Sequence, residues 1–362
     1  MNIVGNRTEI NSILVIRDGR IGDLLMTTPV INCIANKYPE AKIDVMIGQY
    51  GNFVYESNPK INRIVNYNKK ASFCEHVNLI YKLRKNKYDL IVVMEANSHY
   101  KILSYFISNK MRIGISGKLD CLLNYCSPWD RKKHAIINNL NIIQPLLNNN
   151  DEVPSIEMFL FLSAKDIRDA VSFLDKRGVN ENRVIVFIQI ACGPNDMLRS
   201  WSSKNIALLS DMLIQNIGAV VILNSGPGEE MKANKILALM KNKPIINDAN
   251  INLTAALIKL SNVFVGLDTG TTHIANALKT PLVALFGPTS IEDCGPIPTD
   301  RRIVIQKKLD CRPCFNSEKS SQIGNCIKQG ESNCMKEIEV SEVYLTIQSL
   351  LTKFTKDKPI NM

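Results

Sequence analysis

Short apolar runs alternate with stretches of helical spacing through most of the chain, and this alternation constrains the fold more than any other feature. The predicted strands lie at residues 12–16, 42–47, 61–65, 90–94, 184–188, 219–223, 263–265 and 282–286, and the predicted helices at 24–37, 73–84, 164–176, 203–216, 229–240, 253–260, 271–278 and 340–354. Strands separated by helices of this size are typical of βαβ units, which build parallel sheets. The sequence therefore predicts an α/β protein with two doubly wound, Rossmann-like domains in succession.

A polar run at residues 148–152, followed by Pro154, interrupts the alternation and indicates the junction between the domains. We predict a first domain over residues 1–165, a second over 166–338 and a helical segment within 339–362. At 362 residues the chain is long enough for two ordinary cores. Because ligands of doubly wound sheets bind beyond the carboxyl ends of the strands, we expect the site in a cleft between the two domains.

The composition is that of a globular protein, with 45% hydrophobic and 22% charged residues. No stretch reaches the roughly 18 apolar residues that a membrane span needs, and the first ten residues show no signal-peptide pattern, so we expect a cytosolic protein. Residues 1–150 hold 20 Lys and Arg against 11 Asp and Glu, a net charge of +9 out of +10. This basic first half predicts an anionic partner: nucleic acid, a membrane surface or a phosphorylated substrate.

The first candidate site is the segment Arg17-Asp-Gly-Arg-Ile-Gly-Asp23, which directly follows the first strand. Asp23 falls near a helix N-terminus, where the helix dipole keeps a carboxylate ionised and able to act as a general base. Arg17 and Arg20 are candidates for binding an anion beside it. The alternative interpretation is an ordinary turn from strand to helix, in which Asp23 only caps the helix.

The second candidate is the run from Val265 to His273, which follows a strand and opens a helix. Hydroxyls and backbone N–H groups at a helix N-terminus are suited to bind a phosphate or diphosphate. The candidate binding residues are Asp268, Thr269, Gly270, Thr271, Thr272 and His273. So many small polar residues together exceed what helix capping requires, which makes this run more specific than the first.

Two further positions fit a nucleotide. Glu229 or Glu230, after the predicted strand 219–223, is a candidate for binding the ribose hydroxyls, and the sequence does not distinguish them. Arg199, just before Trp201, is a candidate for a bidentate contact to a diphosphate. The simpler interpretation is that Glu229 and Glu230 belong to a turn and to the acidic start of a helix. Trp201 would then only anchor the following helix in the core.

Four cysteines, Cys311, Cys314, Cys326 and Cys334, lie within 24 residues of a segment without regular periodicity. This spacing opens with Cys-x2-Cys and indicates a tetrahedral thiolate site for a structural zinc or iron ion. Free thiols remain the alternative. Disulfides are not expected in a reducing compartment.

Taken together, these motifs resemble glycosyltransferase family nine, the ADP-heptose:lipopolysaccharide heptosyltransferases. The resemblance runs over most of the chain, in residues 13–17, 22–23, 27–29, 38–44, 58–59, 268–270, 273–275 and 281–289. It implies a GT-B architecture, two Rossmann-like domains facing a cleft, with a C-terminal helix that returns toward the first domain. Arg199 stands where the family usually has a lysine.

The resemblance also implies residue roles. Asp23 matches the proposed catalytic base, residues 268–270 and His273 match the donor-binding loop, and Glu229 or Glu230 matches a ribose-binding acid. The implied reaction is an inverting transfer from ADP-heptose to a lipopolysaccharide core, with no cofactor required for catalysis. The acceptor is expected to be an anionic lipid-linked glycan, bound by the basic first domain in peripheral contact with the cytoplasmic face of the inner membrane. Candidate basic residues are Lys69, Lys70, Lys82, Arg84, Lys85 and Lys87.

Two alternatives stay open at this point. The first is a family-nine transferase with another donor or acceptor, including a protein. The second is a basic, zinc-bearing nucleic-acid-binding protein, which accounts for the charge and the cysteines but leaves residues 268–273 unexplained. Aromatic residues make up only 6% of the chain and are not interleaved with the basic ones, so base stacking is poorly supported and no nucleic acid is expected.

Overall fold

The structure is a computed structural model that describes residues 9–49, 51–108, 110–148, 151–180, 182–193, 198–314, 326 and 332–354. The chain divides into two compact units, Met1–Phe161 and Leu162–Met362. The boundary lies four residues before the predicted one, ahead of the helix that begins at Ala164. Each unit has its own parallel sheet and is described separately.

The first unit is built on a six-stranded parallel sheet with the strand order β3-β2-β1-β4-β5-β6. Its strands are β1 (Ser12–Ile16), β2 (Lys42–Gly48), β3 (Arg63–Tyr67), β4 (Leu90–Val93), β5 (Met111–Ile115) and β6 (Tyr125–Ser127). Its helices are α1 (Ile21–Leu25), α2 (Thr28–Lys37), α3 (Asn52–Tyr55), α4 (Phe73–Arg84), α5 (Ser98–Ile107) and α6 (Ala135–Ile142). Strand β4 is fully buried and so is β1 after Ser12, as expected of central strands covered on both faces.

The second unit repeats this arrangement with the order β12-β11-β10-β7-β8-β9. Its strands are β7 (Ile185–Gln189), β8 (Val220–Asn224), β9 (Ile245–Asn247), β10 (Val263–Leu267), β11 (Leu282–Phe286) and β12 (Arg302–Gln306). The helices are α7 (Ala164–Asp175), α8 (Ser203–Ile217), α9 (Glu230–Leu239), α10 (Ile251–Leu260), α11 (Gly270–Ala277), α12 (Ile291–Cys294), α13 (Asn333–Lys336) and α14 (Val340–Phe354). Both sheets have Rossmann-type strand order, which confirms the predicted fold class.

In the first unit, the structure corrects the predicted helix 24–37 and the segment between residues 95 and 134. The predicted helix 24–37 is broken into α1 and α2, because Pro29 occupies the first turn of α2 and its missing N–H forces a new helix start. The sequence also gave no regular elements between residues 95 and 134, where the structure has α5, β5 and β6. The short edge strand β6 is only partly buried and lacks a continuous apolar run.

Helix α14 packs its apolar face onto the core of the second unit. Val343, Ile347 and Leu350 are buried in the same cluster as Trp201. The Trp201 indole donates a hydrogen bond to the carbonyl of Ile338, just before the helix, so Trp201 anchors the end of the chain. The expected return of this helix toward the first domain stays a prediction. None of the helices within the described ranges has the length and apolar character to cross a bilayer.

Candidate functional site

Each sheet has one point at which the strand order reverses, and the predicted motifs lie at these two points. In the first unit the order reverses between β1 and β4, in the second between β7 and β10. Arg17 follows β1 and Glu95 lies two residues after β4, while Gln189 ends β7 and Asp268 directly follows β10. The carboxyl ends of strands at such a reversal form the ligand crevice of doubly wound sheets.

Asp23 lies in the first turn of α1 and is held by two groups of its own segment. Its Oδ1 is 3.2 Å from Nη2 of Arg17, and its Oδ2 accepts a hydrogen bond of 3.0 Å from the backbone N–H of Arg20. A Cβ at Gly19 would lie 2.6 Å from Asp23 Cβ, so the tight turn requires glycine there. The Asp23 side chain is 39% exposed and therefore accessible to a substrate.

Arg17 connects this carboxylate to the sheet. Its Nη1 donates to the carbonyl of Met94 and lies 3.6 Å from Oε1 of Glu95, while its Nη2 contacts Asp23. Its side chain is only 12% exposed. It therefore orients Asp23 and offers little surface to an anion. Arg20 contacts Asp23 through its backbone, and the residue itself is exposed.

Glu95 is a site residue that the sequence analysis missed. It accepts a hydrogen bond of 3.0 Å from the backbone N–H of Asp18, besides its ion pair with Arg17. Burial raises its pKa to about 7, against the lowering by Arg17 and by the Asp18 N–H, and the carboxylates of Asp18 and Asp23 raise it further. Its position at the carboxyl end of a predicted strand was the available signal, since such ends carry ligands.

Because folding raises the pKa of Glu95 from its ordinary 4.5 to about 7, folded and unfolded chains bind different numbers of protons between these values. The folded carboxyl keeps its proton where the unfolded one ionises, so Glu95 costs stability as the pH rises through this window. Glu95→Gln should remove this cost. Its free energy of unfolding, relative to that of the unchanged protein, is expected to rise by up to about 3 kcal/mol between about pH 4 and pH 8.

Denaturant unfolding at the two pH values measures this change. The matched control is Glu40→Gln, since Glu40 belongs to the same unit and is exposed. A difference between Glu95→Gln and the unchanged protein that is the same at both pH values would contradict the raised pKa.

Asp18, next to Arg17, is bound to one side chain from the loop after β3 and to one from α5. Its Oδ2 is 2.6 Å from Nζ of Lys69 and accepts a hydrogen bond from the Tyr100 hydroxyl. Burial raises the pKa of Asp18, but the hydrogen bonds from Lys69 and Tyr100 outweigh it and leave the pKa below its ordinary value. Asp18 is therefore an ionised carboxylate beside Asp23, and Lys69 neutralises it.

In the second unit, the structure brings Arg199 and Asp268 together. Nη1 of Arg199 donates to the backbone carbonyl of Asp268 at 2.9 Å and to its Oδ2 at 3.1 Å. Both side chains are largely buried, with 16% and 12% exposure. Asp268 therefore fixes the guanidinium at the carboxyl end of β10. A guanidinium carries five N–H donors in a planar fork, the geometry that suits a diphosphate.

The run Thr269–Thr272 forms the N-terminus of α11, as predicted. The hydroxyls of Thr269 and Thr271 are 2.8 Å apart, and Thr271 also donates to Oε1 of Gln189 at 3.1 Å. Thr272 is buried and donates to the carbonyl of Leu267, and a Cβ at Gly266 would overlap its hydroxyl. Gly270 begins the helix and His273 is buried in its first turn. The N-terminus of α11 is thus preorganised beside Arg199.

Gln189 belongs to a buried amide network that the sequence analysis also missed. Its Oε1 accepts a hydrogen bond of 2.7 Å from Asn224 at the end of β8, whose own oxygen accepts one of 2.6 Å from Asn247 at the end of β9. Hydrogen bonds of this kind restrict the side chains that they connect, while Oδ1 of Asn247 is buried without a hydrogen-bond partner in the described part of the chain. The network supports Thr271 from the carboxyl ends of three strands.

The two candidate ribose-binding acids differ in placement. Glu229 is buried, and its two oxygens accept hydrogen bonds of 2.8 Å from the backbone N–H groups of Gly193 and Gly226. These glycines lie in the loops after β7 and β8, so the Glu229 carboxylate lies at the carboxyl edge of the sheet. Glu230 is exposed and accepts from the N–H of Gly228 in its own turn.

The four clustered cysteines all lie among the described residues. Burial raises the pKa of the Cys314 thiol, and the neighbouring thiols of Cys311, Cys334 and Cys326 raise it further, so the four sulfurs are electrostatic neighbours. Within the described ranges, however, no group of three or more His, Cys, Asp or Glu side chains has the geometry of a metal site.

Comparison with known proteins decides the family. The model of glycosyltransferase family 9 (heptosyltransferase) matches residues 76–323. The chain belongs to glycosyltransferase family 9. It is 30% identical over 287 residues to the lipopolysaccharide heptosyltransferase 3 of Escherichia coli, covering 74% of this chain and 81% of that protein. The expected family and the expected class of enzyme, a glycosyltransferase, are confirmed.

Solved structures of family 9 share the fold. The family 9 glycosyltransferase of Veillonella parvula matches with a TM-score of 0.83 at 22% identity, covering 96% of this chain and 100% of that one. The Escherichia coli heptosyltransferase WaaC with ADP matches with a TM-score of 0.69 at 16% identity, over 94% and 99% of the two chains. The iron-containing dodecameric glycosyltransferase TibC of Escherichia coli matches at 0.56 and 13%, over 96% and 77%.

Proposed function

We propose that this family 9 enzyme transfers a heptose from ADP-heptose to the core of a lipopolysaccharide, with inversion at the anomeric carbon. The observation that carries the proposal is the Arg199–Asp268 pair beside the N-terminus of α11, at the strand reversal of the second unit. A cation fixed beside the N-terminus of a helix forms an anion site. The relative named lipopolysaccharide heptosyltransferase 3 and the WaaC structure with ADP support the choice of acceptor and donor.

The donor is proposed to bind to the second unit through its diphosphate and its ribose. Arg199 and the backbone N–H groups of Gly270 and Thr271 bind the diphosphate, and the Thr269 and Thr271 hydroxyls border it. Glu229, whose carboxylate reaches the sheet edge, accepts hydrogen bonds from the ribose hydroxyls, and Glu230 does not take part. A carboxylate has about four lone-pair sites, so the two backbone N–H groups leave acceptor capacity on Glu229.

In the proposed reaction, Asp23 takes the proton from an acceptor hydroxyl. The hydroxyl oxygen attacks the anomeric carbon of the donor, the bond from that carbon to the diphosphate oxygen breaks, and ADP leaves with the electron pair. Arg199 and the N-terminus of α11 stabilise the charge that develops on the leaving diphosphate. Arg17 holds Asp23 in place, and Arg20, which is exposed, binds an anionic group of the acceptor.

A donor panel tests this function. The purified chain is incubated with ADP-heptose, ADP-glucose, UDP-glucose and GDP-mannose, and the unfolding midpoint and the release of nucleotide are measured for each. ADP-heptose is expected to stabilise the protein most, since a ligand at about 100 times its Kd contributes about 2.7 kcal/mol. Transfer to lipopolysaccharide that lacks heptose then checks the acceptor. Stabilisation by a UDP- or GDP-sugar alone, or transfer to a protein, would replace the proposed donor or acceptor.

We also propose that Cys311, Cys314, Cys326 and Cys334 hold one structural metal ion, iron or zinc. The mutual proximity of the four thiols supports this, although their geometry in the structure is not that of a finished site. The structure of the iron-containing TibC shows that a protein of this fold can carry iron. A cation would stabilise the thiolates, which burial otherwise disfavours, and would connect residues 311–314 to α13.

Cys314→Ser is expected to remove the metal and to lower the unfolding midpoint, while activity per folded molecule is retained. A site with four protein ligands leaves no position for substrate, so its contribution is to folding alone. Metal analysis of the purified protein should give about one ion per chain, and much less in the variant. The control is Cys74→Ser, since Cys74 is exposed in the other unit. A metal-free native protein with four freely titrating thiols would contradict the proposal.

We further propose that the protein contacts the membrane peripherally from the cytoplasm, where a lipid-linked acceptor would be presented. The net charge of +9 on residues 1–150 supports attraction to an anionic surface.

A further inference from the structure

An apolar surface is exposed on one side of the first unit, on helices α4 and α5. Phe73, Val77 and Tyr81 are 81%, 48% and 60% exposed, and Ile102, Tyr105 and Phe106 are 39%, 50% and 49% exposed. We call these six residues the aromatic face. On α4 they recur every four residues and on α5 they lie three and four apart, so each set forms one stripe. Four of the six are aromatic, although aromatic residues are only 6% of the chain.

The two helices that carry the stripes are neighbours. Helices α4 and α5 pack side by side, and Nη1 of Arg84 donates to the carbonyl of Phe106 at 3.0 Å, which connects their C-terminal ends. The Tyr105 and Phe106 rings meet edge to face with centroids 5.7 Å apart. Soluble proteins rarely expose apolar side chains in such a group unless a partner covers them.

Basic residues accompany the aromatic face. Residues 69–87 hold six Lys and Arg and one acid, Glu75, a net charge of +5. Glu75 is engaged with Ser72 in the capping box at the start of α4. Lys85 lies 4.5 Å from the centre of the Tyr81 ring. Lys70, Lys82, Lys85 and Lys87 are exposed and form no ion pair within the described part of the chain.

From this juxtaposition we infer that the aromatic face and its lysines are the surface by which the protein docks on an anionic lipid bilayer. Tyrosine and phenylalanine rings bury their apolar parts at the level of the headgroups, and lysine side chains reach the lipid phosphates. Attraction by unpaired lysines favours an anionic membrane over a second copy of this basic chain. The inference rests on the proposed membrane contact and adds the surface that makes it.

Vesicle binding of the full chain tests this surface. Co-sedimentation is measured with vesicles of phosphatidylcholine alone and of equimolar phosphatidylcholine and phosphatidylglycerol. Binding is expected only to the anionic vesicles and should weaken as the salt concentration rises, because salt screens exposed charges. Phe73→Ser with Tyr81→Ser should lower the partition coefficient at least about tenfold, and so should Lys70→Glu with Lys82→Glu and Lys85→Glu.

Matched controls lie in the second unit. Leu208→Ser with Leu345→Ser removes exposed apolar side chains, and Lys204→Glu with Lys235→Glu and Lys243→Glu reverses exposed charges. Both controls should bind vesicles as the unchanged protein does, apart from a small loss from the lower net charge.

Every other outcome contradicts one specific part of the proposal. If the unchanged protein does not bind anionic vesicles, the proposed membrane contact is wrong. If all variants bind as well as the unchanged protein, the aromatic face is not the docking surface. If Phe73→Ser with Tyr81→Ser instead dissociates a dimer, measured by light scattering, a second copy covers the face. ADP binding is measured in parallel. Its absence with vesicle binding intact would overturn the proposed donor site and leave the docking surface standing.

Discussion

Asp23→Asn is expected to lower the rate of sugar transfer by about two or more decades, the usual contribution of a general base. The amide cannot accept the proton of the acceptor hydroxyl. ADP binding should be retained, because the residues proposed to bind the donor belong to the second unit. The change is nearly isosteric, and the amide oxygen can still accept a hydrogen bond from Arg17 or from the Arg20 N–H. The folded state should therefore be preserved.

Single-turnover transfer and calorimetry with ADP measure the two effects separately. The control is Asp130→Asn, since the Asp130 side chain is 42% exposed against 39% for Asp23 and also pairs with a cation of its own segment. This control should transfer sugar at the normal rate. Near-normal turnover by Asp23→Asn, or a parallel loss of ADP affinity, would remove Asp23 from the role of base.

Arg199→Ala is expected to weaken ADP binding by ~1.5–3 kcal/mol, roughly a ten- to hundredfold rise in Kd. The variant loses a charge-assisted contact to the diphosphate. Asp268→Ala should also weaken binding, because Asp268 Oδ2 orients the Arg199 guanidinium. If Asp268 acts through Arg199, the two losses are not additive, and the double variant should bind ADP no worse than Arg199→Ala alone.

Calorimetric titration of the three variants and of the unchanged protein with ADP measures whether the two losses add. The control is Arg183→Ala, since Arg183 also donates to a backbone carbonyl but precedes β7, at the opposite end of the strand from the site. Unchanged affinity in both single variants would place the donor elsewhere. Fully additive losses would show that Asp268 contacts the nucleotide itself and does not work by holding Arg199.

The identity of the elements followed from local patterns. Strands β1 and β11 and helices α4 and α14 were predicted with the ends that the structure gives them. Central strands of a parallel sheet are buried on both faces and read as apolar runs, and amphipathic helices repeat at a helical period. The strands β6, β9 and β12, at or near the sheet edges, are short or only partly buried and were missed.

The sequence also predicted where the candidate site residues lie relative to the strands. The segment from Arg17 to Asp23 directly follows the predicted strand 12–16, and the segment from Asp268 to His273 begins shortly after the predicted strand 263–265. In parallel sheets, functional loops follow the strands. Local chemistry therefore determined which residues could bind an anion or accept a proton. It left Glu229 and Glu230 undistinguished, because both are carboxylates in one turn.

Only the tertiary structure decided how these residues pair. Glu95 accepts a hydrogen bond from Asp18, 77 positions away, and Arg199 reaches Asp268 across 69 positions. Such contacts depend on which strands are neighbours, and β1 pairs with β4 just as β7 pairs with β10. Periodicity reports the burial of each strand but carries no information on strand order. The distant partners of Arg17 and Arg199 therefore come into contact only when the sheets have assembled.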